Sequence, residues 1–174
     1  MNEERRDEKE DLEPIKFDYL DEGNSNQLVT GTRQIFKDAD IFNLLNKSVK
    51  TNFYYFATKN VNELHQIWGI NKFEDNAFKW TRQIIEMLNP KIIICEGNDA
   101  FNKVKDMYND DFDKKDEITP KRYGEIGDIQ YYELEGKPLV IGYYRTYSTI
   151  SNINKELLTS FLKEEIEKRN LKKE

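Results

Sequence analysis

Asn89-Pro-Lys-Ile-Ile-Ile-Cys-Glu-Gly-Asn-Asp-Ala-Phe101 decides the fold of this chain. Asn89-Pro90 ends whatever helix precedes it, because the residue before a proline is pushed out of the helical region. Ile92 to Cys95 are four consecutive apolar residues, and Gly97 follows two positions later. A short apolar run closed by a turn signal reads as a parallel strand with both faces covered. Asn98 or Asp99 can cap the next helix, whose inner face is Ala100, Phe101, Val104 and Tyr108. The unit is therefore helix, strand, tight turn, helix.

Upstream, Ala77, Phe78, Thr81, Ile84, Ile85 and Leu88 recur at helical spacing, and Asp75 reads as the N-cap of that helix. Residues 61–69 read as a short helix closed by Gly69. Asn52 to Ala57 is an aromatic run of strand length. A first helix is expected at about residues 33–49, after a Gly23-Asn24-Ser25-Asn26 turn cluster. Downstream, residues 105–121 carry six acids and Thr119-Pro120, and read as a solvated segment. Ile129–Leu134 and Leu139–Tyr144 are two strands joined by the hairpin turn Glu135-Gly136-Lys137-Pro138. The last helix starts near Ser151 or Asn152, with Ile153, Leu157, Leu158, Phe161, Leu162 and Ile166 as its buried stripe. Helices alternating with strands predict an α/β fold, a three-layer sandwich with a mainly parallel central sheet. Residues 15–174 form one domain, behind a disordered acidic tail at 1–14.

Composition narrows the function. The chain has 174 residues and a net charge of −6. Seven acids face three bases in residues 1–13, so the remaining body is close to neutral and no bulk positive field marks a nucleic-acid binder. One cysteine and one histidine argue against an internal disulfide and against Cys- or His-rich metal sites. No metal or cofactor is expected. No apolar run reaches the length of a membrane span and no signal segment opens the chain, so the expectation is a cytoplasmic protein without a membrane partner.

In parallel sheets ligands bind beyond the carboxyl ends of the strands, which directs attention to 57–62, 96–99 and 144–152. Gly97 either only turns the chain or opens a helix N-terminus that holds a phosphate. Glu96 and Asp99 beside it oppose an anion. The amide of Asn52 offers a donor and an acceptor to a nucleobase edge. Tyr144, Arg145 and Tyr147 combine rings for stacking with a cation for phosphate, and Lys121-Arg122 add charge. The alternative for that loop is a wet rim. His65 reads as a packing or surface residue, and Cys95 as a small apolar one.

Two of these stretches together resemble the uracil-DNA glycosylase superfamily. Residues 89–101 are similar to its Pro-Lys, buried strand, Gly-x-x-Ala, helix passage. Thr51-Asn52-Phe53 is similar to the strand whose Asn reads the uracil edge. The hairpin, the loop at 144–149 and the last helix follow in the family's order, and the likeness covers residues 33–168. The resemblance implies a glycosylase-like fold acting on or binding bases in single- or double-stranded DNA. Asn52 would read the base, Phe53, Tyr55 and Tyr144 would stack on it, and Gly97, Lys121 and Arg122 would meet the backbone. The family's catalytic first loop has no counterpart here, and its His-Pro-Ser loop is replaced by Tyr144-Arg-Thr-Tyr-Ser148. Arg145 and Ser148 would then carry catalysis, with Arg145 standing in for the histidine against the departing uracil anion. Both an excision enzyme and a non-catalytic nucleic-acid- or protein-binding module fit this pattern.

Overall fold

The computed structural model describes residues 18–51, 70–109, 118–124, 129–144 and 150–171. The aromatic run at 52–57, the short helix at 61–69 and the acidic segment at 110–117 lie outside the described residues, as does the tail at 1–14.

The chain enters through a 3-10 turn, Asp18–Leu20, and helix α1, Gln27–Asp38. Asn26 starts α1, because its side chain accepts from the amides of Leu28 and Val29. The expected helix over 33–49 is instead two pieces, α1 and the short α2, Phe42–Leu45. The break lies at Asp40, whose φ is +57°. There the Ile41 amide donates to Phe36 O and the Asp40 amide to Lys37 O, a Schellman stop. The periodicity of 33–49 continues through this break, so spacing alone does not reveal it.

Helix α3, Ile70–Leu88, begins five residues before Asp75, which is not its cap. It ends where expected, with Asn89 at a φ of +44°. Strand β1, Ile92–Glu96, and helix α4, Asn98–Asn109, follow where expected with Gly97 at a φ of +108° between them, but α4 already includes Asn98 and Asp99, so neither is its cap. Strand β2, Lys121–Tyr123, rises from the stretch expected to be solvated. Strands β3, Ile129–Tyr132, and β4, Leu139–Tyr143, form the expected hairpin. Helix α5, Asn152–Lys168, is capped by the Ser151 hydroxyl.

The fold is α/β, with the four strands in the order β1-β4-β3-β2. The sheet is mixed rather than mainly parallel among the described residues. β1 and β4 pair in parallel, whereas β3 pairs antiparallel with both β4 and β2. The physical reason is connection length: β3 and β4 are joined by a tight turn, and short connections force antiparallel pairing.

Register assigns the faces. Ile94, Ile141 and Tyr131 share one row, and with Leu139, Ile129 and Tyr143 they pack under α1 and α5. Cys95, Val140 and Tyr132 face the other side, under Phe101, Val104, Met107 and Tyr108 of α4. Each fully buried aliphatic or aromatic side chain in these cores contributes about 1.5–3 kcal/mol of transfer free energy. Gly142 interrupts β4 on the α4 side. A Cβ there would sit 2.5 Å from the Phe101 ring, so only glycine lets that ring lie on the strand.

The expected stripe of α5 is corrected at one position. Ile153 is 49% exposed, and its neighbour Asn154 is buried instead. The Asn154 Nδ2 donates to Tyr144 O at 3.0 Å, tying the first turn of α5 to the end of β4.

Candidate functional site

The parallel pair β1/β4 sets the carboxyl edge of the sheet. Register places Glu96, Tyr143, Ile129 and Tyr123 in one row along it. Glu96 ends β1 and turns toward the α1/α5 face, where Tyr19 and Lys50 meet it. The Tyr19 hydroxyl donates to Glu96 Oε1. The Tyr19 hydroxyl oxygen in turn accepts from Lys50 Nζ at 2.5 Å. Lys50 Nζ lies 3.5 Å from Glu96 Oε2 and 4.1 Å from the centroid of the Tyr19 ring. One cation, one anion and one phenol thus interlock at the end of β1.

Tyr19 is held from behind. Arg33, buried in α1, donates through Nε to Tyr19 O at 3.0 Å and through Nη2 to Asp21 O at 2.6 Å. These charge-assisted bonds let a guanidinium stay buried and fix the backbone that presents the phenol.

Gly97 follows Glu96 and so adjoins this cluster. Its amide donates to Cys95 O at 3.1 Å, so the turn uses its own N–H. Asp99 supplies a carboxylate to the first turn of α4, where it complements the positive end of the helix. Gly97 thus functions as a turn in this geometry. Tyr144 follows β4 and is 46% exposed at the same edge.

Lys121 and Arg122 lie on β2, at the other side of the sheet. Arg122 shares a row with Gly142 and Cys95, three ladders from β1. At strand spacing this is about 14 Å. The two are successive strand residues, so their side chains leave opposite faces and cannot clasp one phosphate. Asn52, Phe53, Tyr55, Arg145, Ser148 and His65 lie outside the described residues.

Cys95 is buried mid-strand. Burial, and then the charge of Glu96, push its thiol up to about 12, so it stays protonated and inert at neutral pH. Among the described residues no group of three or more His, Cys, Asp or Glu is placed to hold a metal. No helix among them is long and apolar enough to cross a membrane.

The amino edge of the sheet carries a cleft of about 460 Å3 lined by Lys91, Glu133, Lys137 and Arg169, among others. Arg169 there is committed to ion pairs with Glu165 and Glu133, which staple the end of α5 to the exit of β3. That arrangement serves the fold.

Sequence reasoning missed Tyr19 and Lys50. Neither lies in a periodic segment, and 77 positions separate Tyr19 from Glu96. The available signal was Glu96 itself, a carboxylate ending an apolar strand, which needs a partner when half-buried. No family model, curated protein or solved structure matches this chain.

Proposed function

We propose that this chain is a uracil-DNA glycosylase-like protein that binds nucleobases of DNA at the carboxyl edge of the sheet, on a three-layer α/β frame. The observation that supports this reading is the β1–Gly97–α4 unit lying parallel to β4, with exposed Tyr144 at the same edge. That is where an α/β sheet receives ligands. An exposed tyrosine offers a stacking face worth about 1–3 kcal/mol per base. Asn52 would read the base edge, with Phe53 or Tyr55 stacking.

A specific observation favours binding over excision. Flipping a base out of a duplex costs a few kcal/mol and calls for firm phosphate contacts. Lys121 and Arg122 diverge across the sheet, Gly97 spends its amide on Cys95, and Lys50 is paired with Glu96. A single-stranded or already unstacked base is therefore the better substrate class, and catalysis through Arg145 and Ser148 is the secondary reading.

The test is fluorescence anisotropy with a short single-stranded oligonucleotide carrying one uracil, beside its thymine and duplex counterparts, followed by alkali cleavage. Specific binding to the single strand that is lost in Asn52→Ala supports the proposal. Absence of binding at low salt overturns it. Strand scission that disappears in Arg145→Ala would move the chain to the enzymes.

A further inference from the structure

We propose that Lys50 and Glu96 form a donor–acceptor pair for a ligand's imide or amide edge, and that the segment 18–26 is a strap whose Tyr19 hydroxyl holds their place. This inference rests on the reading that a base enters at the carboxyl edge. It adds the groups that meet the base and the element that covers them.

A hydroxyl has one donor and two acceptor sites. The Tyr19 hydroxyl spends its donor on Glu96 and accepts from Lys50 Nζ at 2.5 Å. An imide edge, O=C–N–H, presents the same two functions: its N–H would donate to the Glu96 carboxylate and its carbonyl would accept from Lys50. The single phenol oxygen thus engages both groups that such an edge would engage. Its ring lies under the Lys50 ammonium, 4.1 Å from centroid to Nζ, as a stacked base could.

The strap is fastened at one end. Tyr19 is 2% exposed, and Arg33 grips its carbonyl and that of Asp21. Beyond Asp21 the backbone is held by short-range turns, Asn24 N to Asp21 O at 2.9 Å and Asn26 N to Asn24 Oδ1 at 2.9 Å. Glu22, Gly23, Ser25 and Asn26 are exposed. Opening it takes Tyr19 and Leu20 out of the larger core and breaks both Arg33 bonds, so the closed strap is the resting state and the segment opens only as a minor population. When it opens, Lys50 and Glu96 stay paired at the edge with the phenol withdrawn.

Tyr19→Phe in the full chain removes the placeholder oxygen and keeps the ring. Amide exchange at 18–26 is expected to rise about tenfold, with β3 and β4 unchanged. Affinity for the uracil-bearing single strand is expected to rise about threefold, and Lys50→Met in the same background abolishes that gain. Unchanged exchange overturns the strap. Raised exchange with equal or weaker oligonucleotide binding overturns the ligand pair. Should neither protein bind the oligonucleotide, the proposed function fails, and the Lys50 reductive methylation rate decides the strap. It should rise about threefold in Tyr19→Phe while that of Lys47 stays constant, and a constant Lys50 rate overturns the cover. If Tyr19→Phe does not fold, Lys50→Met alone should loosen 18–26 to a similar extent, and unaltered exchange there is again a refutation.

Discussion

The two faces of the sheet are specified by different means. Under α5, Phe161 sits between Tyr123 and Tyr131, with ring centroids 4.6 and 4.8 Å away, amid many aliphatic neighbours. Under α4, the smaller core turns on a single fit: Phe101 lies against Gly142 and within 5.4 Å of the Tyr132 ring. One face gains order from number, the other from a missing side chain. The contrast teaches that burial alone does not rank positions. A glycine can be as restrictive as a phenylalanine where a ring rests on the backbone.

The largest expected effect is Phe161→Ala. It empties the centre of the larger core and should cost about 3–5 kcal/mol in urea unfolding. A loss below about 1 kcal/mol would mean the tyrosines close over the gap, and that number does not confer order there. Next comes Gly142→Ala, at about 1–3 kcal/mol from overpacking against Phe101. The sharper form is a double-mutant cycle with Phe101→Leu. The two changes together should cost less than their sum, and strict additivity would detach Phe101 from Gly142.

Smaller effects concern titration. The Cys95 thiol, on the α4 face, is raised from 9.0 to about 12 by burial and by Glu96. The fold therefore prefers the neutral thiol. This contribution is full below pH 9 and is lost as pH climbs toward 12. Iodoacetamide should label Cys95 at pH 8 only as fast as the protein opens, and rapid labelling would place the thiol at the surface. On the α5 face, Tyr123 is raised from 10.0 to about 12, chiefly because its hydroxyl donates to Glu164 at 2.6 Å. Its contribution is complete below pH 10 and fades between 10 and 12. Tyr123→Phe should remove that part of the alkaline decline, at a cost near neutrality of about 0.5–1 kcal/mol because the bond is exposed. An unaltered alkaline limb would refute the pairing.

The sequence made the β1–α4 unit, the β3/β4 hairpin and α5 legible because each carries a local code. These are an apolar run with Gly97, a four-residue turn, and a 3.6-residue stripe behind Ser151. What escaped was decided by backbone or distant chemistry. Asp40 in the left-handed region divides a periodic stretch. β2 has three residues and exists by pairing with β3 rather than by propensity. Asn154 replaces Ile153 inside because the Tyr144 carbonyl needs a donor. Gly97 and Tyr144, both singled out by the sequence, lie at one edge of the sheet. Lys121 and Arg122 were grouped by charge although strand alternation separates them. Tyr19 and Lys50 could not be found by spacing, because their meeting with Glu96 is a product of the finished fold.

The order of strands carries a kinetic consequence. Tyr132 and Val140 are 8 positions apart, whereas Ile92 must find Leu139 across 47. Closing the longer loop costs about 1.6 kcal/mol more in chain entropy. The hairpin can therefore assemble early from near neighbours, and β1 docks late onto a rim already built. Mutations in Ile93 or Ile94 should then hasten unfolding more than they delay folding, making β1 the seam along which this molecule first comes apart.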